Sequence, residues 1–217
     1  MTIRTFLRGL AGTALIGLFG SGTPAASADS IVELPVLVAI AANDRGAFEV
    51  MLMQWDQKSS PDPLVIKWAN ARIKFVGAYL DAVNQALRYA MVRTPSISHT
   101  GSIWIKGAAY APTSTDGPSA GAAMAVGFLA VLKGDTVQRG IALTGTIEPD
   151  GRIGAVGAIP DKIRAAAREG YRTILIPQGQ SSDPRWNLAG LAMNLNVSVK
   201  EVATIDDAYE LMTGRRP

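Results

Sequence analysis

Two apolar runs near the start of the chain predict β-strands. Residues 31–40 and 48–55 are rich in Val, Leu and Met, and the polar residues 42–46 between them have the composition of a turn. After a second break at residues 59–63, the short apolar run 64–68 predicts a third strand. We expect these three strands to form a meander that covers one side of the domain.

Two later segments have the patterns of helices. In residues 72–93, apolar residues recur every three or four positions, which predicts an amphipathic helix that ends before Pro95. Residues 122–132 are small and apolar throughout, which predicts a buried helix. Gly134 is placed to end that helix.

The second half of the chain alternates between strand and helix patterns. A strand pattern at residues 101–107 precedes the buried helix, and residues 139–147 and 152–156 predict a hairpin around a turn that contains Pro and Gly. A helix that starts at Pro160 and stops at Gly170 follows. The remaining pattern predicts a strand at residues 171–177, a helix at 183–193, a strand at 197–202 and a helix at 204–212 that Thr204 caps. This order predicts a mixed α/β (α+β) domain with mixed sheets and packed helices.

The composition is that of a chain with a sizeable hydrophobic core. Of the 217 residues, 48% are hydrophobic and 18% are charged, which excludes general disorder and indicates one compact domain with an extension. The formal net charge is +3, but Arg4 and Arg8 belong to a segment that we expect to be removed, and the other charges nearly balance. This balance argues against nucleic-acid binding. With one histidine and no cysteine, we expect neither a metal site nor another cofactor.

Residues 1–28 have the three parts of a secretory signal peptide. Two arginines supply the positive region, residues 10–19 form an apolar segment too short to span a bilayer, and a small-residue cleavage site ends at Ala28. We therefore expect an exported protein, periplasmic or secreted, whose mature domain comprises residues 29–217. The alternative is an uncleaved leader that anchors the domain to the membrane.

A serine at a tight turn before the buried helix is the candidate nucleophile. It is the fourth residue of the sequence Asp116-Gly117-Pro118-Ser119-Ala120-Gly121. The flanking glycines permit backbone angles barred to other residues and let a substrate backbone approach the hydroxyl. At the start of a helix, unpaired N–H groups and the positive end of the helix dipole would stabilise an oxyanion. The alternative is a serine whose hydroxyl caps the helix.

A lysine at the start of the next helix is the candidate general base. Lys162 would lie in the first helical turn, where the dipole disfavours a positive charge, and partial burial would lower its pKa further. A neutral lysine would accept a proton near neutral pH. The alternative is a solvated surface lysine. A Ser-His-Asp mechanism would require His99, the single histidine, whose polar loop indicates a solvated side chain instead.

These two motifs, with Leu143-Thr144-Gly145 between them, resemble the proteolytic domain of Lon-type serine peptidases. The resemblance covers about residues 31–213, and the spacing of Ser119 and Lys162 matches that of the family. It implies the Lon proteolytic-domain fold, a Ser119–Lys162 catalytic dyad and a Thr144 that hydrogen-bonds the lysine. It also implies hexamers, and a serine turn supported by Asp116, Gly117, Pro118, Ala120 and Gly121. From its spacing alone, Thr144 is equally well an ordinary strand residue.

The resemblance predicts a serine endopeptidase that cleaves peptides or unfolded proteins. The chain lacks the G-x-x-x-x-G-K-[ST] motif of a P-loop, so we expect cleavage without ATP. Before the serine, the chain carries Trp104, Lys106 and Tyr110 where ATP-dependent members carry histidines and an acidic residue, which leaves the cleavage specificity open. The alternatives are a non-catalytic peptide-binding or assembly module that keeps the fold, and a transferase or esterase with the same dyad.

Overall fold

A computed structural model describes residues 31–40, 45–58, 63–69, 73–75, 77–108, 113–115 and 117–217. The predicted leader and Asp116 lie outside these ranges. The helices are α1 Ala78–Arg93, α2 Gly121–Lys133, α3 Ile159–Arg168, α4 Leu188–Leu195 and α5 Ile205–Thr213, with a 3₁₀ turn at Pro118–Ala120. The strands are β1 Ile31–Ile40, β2 Arg45–Asp56, β3 Val65–Trp68, β4 Ile73–Phe75, β5 Ser102–Ala108, β6 Thr113–Thr115, β7 Ile141–Leu143, β8 Thr146–Ile147, β9 Ile153–Gly154, β10 Thr173–Pro177 and β11 Ser198–Val202.

A seven-stranded mixed sheet forms the centre of the described chain. Its order is β11-β10-β7-β1-β2-β5-β3, and β1 and β2 pair antiparallel along their lengths, from Ile31 opposite Gln54 to Ile40 opposite Arg45. β7, β10 and β11 are parallel to one another, and β7 is also parallel to β1. The predicted mixed α/β class is confirmed.

The predicted meander is wrong, because β5 lies between β2 and β3. Ile103 and Ile105 of β5 are fully buried, whereas all four residues of β3 are only half-buried. A short, half-exposed strand suits the edge of a sheet, and a strand with buried side chains suits its interior.

Helices cover both faces of the sheet. Alternate residues of β1 point to opposite faces, so Val36 packs with α1 and α2 while Leu37 packs with α3 and α4. In α2, every residue from 121 to 132 is buried, as the small apolar pattern predicts. The layer of α1 and α2 on one face of the sheet also contains the buried side of α5. The layer of α3 and α4 covers the other face, and this arrangement positions the candidate site.

Two predicted helices begin later than expected. The start of the predicted helix at residues 72–93 is instead the strand β4. The chain becomes helical only after Gly77, whose φ of 52° is not that of a right-handed helix. The predicted helix at residues 183–193 begins only at α4, where the side chain of Asn187 accepts a hydrogen bond of 3.0 Å from the Gly190 N–H. In the described ranges, the structure contains no helix long and apolar enough to span a bilayer.

Candidate active site

Ser119 lies in the 3₁₀ turn that runs directly into α2. Its carbonyl oxygen accepts hydrogen bonds from the Gly145 N–H at 2.9 Å and from the Thr144 hydroxyl at 3.3 Å. The N-cap of α2 is Ala120, and no side chain caps this helix. The serine is therefore not the helix cap that the alternative required, and its half-buried hydroxyl is available for other chemistry.

The glycines beside Ser119 provide space rather than unusual backbone angles. Gly117 has a φ of −115° and Gly121 a φ of −56°, which any residue adopts, so the expectation of barred angles is wrong at both positions. A Cβ on Gly121 would lie 3.0 Å from Cγ2 and 3.2 Å from N of Ile147. Among the described residues, a Cβ on Gly117 would meet only the Ser119 Oγ, at 4.0 Å. Gly121 thus permits close packing of the serine turn against β8, and Gly117 leaves room beside the hydroxyl.

Lys162 is buried in the first turn of α3, with 2% of its surface exposed. Its Nζ donates a hydrogen bond of 3.1 Å to Oγ1 of Thr144. Burial disfavours the charged ammonium and lowers the pKa of Lys162 from 10.5 to about 8. The lysine is therefore not the solvated surface residue of the alternative, and a substantial fraction of it is neutral near physiological pH.

Thr144 connects the lysine to the backbone of the serine turn. It follows β7, is fully buried, and its N–H donates to the carbonyl of Leu175 at 3.1 Å. Its hydroxyl accepts from Lys162 and donates to the Ser119 carbonyl. Because both bonds orient the hydroxyl, Thr144 is not an ordinary strand threonine. The predicted hairpin of residues 139–147 and 152–156 is present in shorter form, as β8 and β9, and Thr144 lies just before it, between β7 and β8.

The other singled-out residues have different surroundings. A ring nitrogen of His99 lies 2.9 Å from the Thr94 hydroxyl at the end of α1, so the histidine is half-buried and hydrogen-bonded instead of solvated. Trp104 and Lys106 are exposed on β5, and Lys67 Nζ lies 5.1 Å from the Trp104 ring centroid. Tyr110 lies outside the described residues.

In the described part of the chain, no group of three or more His, Asp or Glu residues is placed to hold a metal ion.

A family model of the Lon protease (S16) C-terminal proteolytic domain matches residues 83–212, which is more than half of the chain. The chain belongs to this Lon proteolytic-domain family. The match includes Ser119, Thr144 and Lys162, and it agrees with the mixed sheet and the helices described above.

Several curated proteins that bear the name Lon protease match part of this chain. The Lon protease of Xanthomonas oryzae pv. oryzae is 37% identical over 105 residues, which are 48% of this chain and 12% of that protein. Lon protease 2 of Syntrophobacter fumaroxidans is 38% identical over 101 residues, which are 46% of this chain and 12% of that protein. The Lon protease of Azorhizobium caulinodans is 44% identical over 71 residues, 33% of this chain and 8% of that protein. This Lon domain thus matches about an eighth, or less, of the length of these curated relatives.

Two features of this Lon domain were missed by sequence reasoning. Ala158, at the N-cap of α3, has the left-handed angles φ 56° and ψ 33°, which cost a non-glycine residue about 1–2 kcal/mol. Glu49 is buried on β2, on the face that carries Met51. The pKa of Tyr79 is raised mainly by the burial of the tyrosine itself and further by the negative charge of Glu49. The only signal for Glu49 was an acidic residue within an apolar run, and no sequence signal marked Ala158.

Proposed function

We propose that this chain is a serine endopeptidase of Lon type that cleaves peptides or unfolded proteins without ATP. The observation that carries the proposal is the buried Lys162, whose pKa is about 8 and whose amine is hydrogen-bonded through Thr144 to the backbone of Ser119. A serine whose turn is joined through Thr144 to a lysine that is about half neutral near pH 8 fits the requirement for a nucleophile with a general base. The absence of a P-loop motif from this sequence supports cleavage without ATP.

The proposed reaction uses the lysine twice. Neutral Lys162 takes the hydroxyl proton while Ser119 Oγ bonds to the peptide carbonyl carbon, whose oxygen becomes an oxyanion held by backbone N–H groups near the start of α2. The C–N bond then breaks, and the lysine gives its proton to the departing amine. Water attacks the acyl-enzyme, again losing a proton to Lys162. The proton returns to Ser119 as the carboxylic acid leaves.

Thr144 has a positioning role in this proposal. Its hydroxyl accepts from the amine and donates to the Ser119 carbonyl, which fixes the lysine relative to the serine turn. The hydroxyl of Ser119 has no hydrogen-bond partner among the described residues. Catalytic hydrogen bonds in substrate-free enzymes often form only when substrate binds, so we expect the Ser119–Lys162 bond to form in the substrate complex.

The test is hydrolysis of unfolded casein by the purified chain, without ATP. Ser119→Ala and Lys162→Ala should each abolish cleavage, because they remove the nucleophile and the base. Ser182→Ala and Lys200→Ala are matched controls at exposed positions and should leave cleavage unchanged. Cleavage that persists in Ser119→Ala would contradict the proposed mechanism.

The same purified proteins, tested with casein, a phosphonate and esters, distinguish two other functions. A chain that binds casein but neither cleaves it nor reacts at Ser119 with a serine-directed phosphonate is a non-catalytic binding module. A chain that hydrolyses esters but not peptides is an esterase or transferase with the same dyad. Both outcomes contradict the endopeptidase proposal while leaving the family assignment intact.

We also propose that the protein is exported and assembles into hexamers. The proposal of export is supported by the sequence of residues 1–28, and that of assembly by the resemblance to Lon peptidases. The N-terminal sequence of the protein from its native cell should begin at Asp29, whereas retention of Met1 would indicate a membrane anchor. Light scattering of the purified mature chain measures the oligomer, and a monomeric mass would contradict the hexamer.

A further inference from the structure

The turn that leads into α3 determines where Lys162 points. This turn follows β9 and passes through Val156 to Ala158, which has left-handed backbone angles. The carbonyl of Ala158 accepts the Lys162 N–H at 3.1 Å, so the angles at Ala158 set the first helical turn. An unfavourable conformation persists only where surrounding contacts hold it in place. Some other part of the chain must therefore hold this turn.

One side chain binds both backbone polar groups of Val156. The Val156 N–H donates to Oε1 of Gln180 at 3.0 Å, and Nε2 of Gln180 donates to the Val156 carbonyl at 2.9 Å. The side-chain amide thus satisfies both backbone polar groups of Val156, which lies outside the described strands. The Val156 side chain is buried with Ile159 and Ile163 of α3. Hydrogen bonds therefore hold the backbone of the turn, and apolar packing holds its side chain.

Gln180 is itself fixed by the strand that holds Thr144. Its N–H donates to the carbonyl of Pro177, the last residue of β10, at 3.3 Å. Two residues earlier in β10, the Leu175 carbonyl accepts the Thr144 N–H. A single segment, residues 175–180, therefore holds both the threonine that binds the lysine amine and the turn from which the lysine starts.

We propose that Gln180 is a positioning residue for Lys162, which aligns the amine with Thr144 and the serine turn through its two bonds to Val156. The role in catalysis rests on the endopeptidase function proposed above. The geometric role does not, because it concerns the placement of a buried amine in the resting protein. The two parts can therefore be tested separately.

The activity test compares three variants of the full chain. Gln180→Leu has a similar size and removes both hydrogen bonds, and Gln180→Glu keeps the acceptor but loses the donor. Gln178→Leu is the matched control, since Gln178 is exposed on the same loop. We expect kcat on a peptide substrate to fall about tenfold to a hundredfold in Gln180→Leu, and less in Gln180→Glu, with KM changed by less than about twofold. The Gln178→Leu protein should match the wild type.

A second readout does not need activity. In Ser119→Ala protein, the ¹³Cε resonance of Lys162 reports its pKa, which is about 8 when the side chain is buried. Adding Gln180→Leu should move this pKa upward, toward 10.5, because a misplaced lysine gains solvent. Adding Gln178→Leu should not move it. A merely structural role for Gln180 would lower the melting temperature without changing the pKa of the lysine in the folded protein.

The outcomes separate the two proposals. If the wild type cleaves nothing but the Lys162 titration shifts in Gln180→Leu, the peptidase proposal fails and the positioning role stands. If the titration and kcat of folded Gln180→Leu both equal those of the wild type, the positioning role is overturned. Should Gln180→Leu not fold, Gln180→Glu gives the same decision, with an unchanged titration counting against the proposal.

Discussion

Lys162 gives the strongest prediction at the scale of single residues. A general base must be neutral to accept a proton, so kcat/KM should be low where Lys162 is protonated and should rise with pH through its pKa. Because burial lowers that pKa to about 8, the midpoint should lie near pH 8, well below the ordinary lysine value of 10.5. Peptide hydrolysis measured between about pH 6 and 10 tests this expectation.

His99 provides the control for this pH profile. A mechanism with a histidine base would depend on His99, the single histidine of the sequence. Because the ring of His99 hydrogen-bonds to Thr94, the C-cap of α1, His99→Gln should leave the profile unchanged. A midpoint that moves in His99→Gln, or one near 10.5 in the wild type, would contradict the role of the buried lysine.

Single residues also show which parts of the site can be predicted from sequence. Ser119 lies in a glycine-flanked turn and Lys162 at a helix start. Both are local sequence patterns, so the sequence alone could indicate these two residues as candidates. Ala158 and Gln180 were not, because their geometry depends on a contact between residues 24 positions apart. Backbone angles at Gly117 and Gly121 were predicted wrongly, since a glycine serves close packing as well as it serves unusual angles.

At the scale of elements, the site depends on how closely α2 approaches β8. A Cβ at position 121 would lie 3.2 Å from the backbone nitrogen of Ile147, and a backbone atom cannot turn aside as a side chain does. We therefore expect Gly121→Ala to push the serine turn away from β8 and from Thr144. The free energy of unfolding should fall by about 1–3 kcal/mol, and kcat should fall with it.

Gly157→Ala is a control for the effect of an added methyl group on stability. Gly157 has no left-handed φ, and no described atom lies within 4 Å of a Cβ placed there. Because Gly157 belongs to the turn that leads to Lys162, the control is read in urea denaturation alone, where the variant should match the wild type. If Gly121→Ala were equally stable and also kept the wild-type rate of peptide hydrolysis, the close approach of α2 and β8 would not matter for the site.

Element boundaries were predictable where one local signal dominated. The buried helix α2 and the Thr204-capped α5 follow their patterns, and the Thr204 hydroxyl accepts from the Asp207 N–H at 3.1 Å. The strand β4 was mistaken for helix because its partner, β6, is distant in sequence and supplies its hydrogen bonds. Pairing order is likewise non-local, which is why β5 was not predicted between β2 and β3.

At the scale of the whole molecule, the two candidate catalytic groups come from opposite faces of the sheet. The serine turn belongs to the layer of α1 and α2, since Ala120 is buried there. The lysine helix α3 belongs to the other layer, with Ile159 and Ile163. Thr144, at the end of β7, is the residue through which hydrogen bonds connect the two sides. The site therefore exists only while both layers are docked on the sheet.

This arrangement predicts that activity and tertiary structure are lost together. In urea, peptide hydrolysis should fall along the same curve as the tryptophan fluorescence, to which Trp55, buried in the layer of α1 and α2, contributes. Trp186 packs against the other layer, so Trp186→Phe removes its signal and tests whether the remaining curve still coincides with activity. A loss of activity that precedes the fluorescence change would mean that the lysine layer detaches first. Coincident curves in both proteins would mean that the site and the two-layered fold form one cooperative unit, as the proposed dyad across the sheet would require.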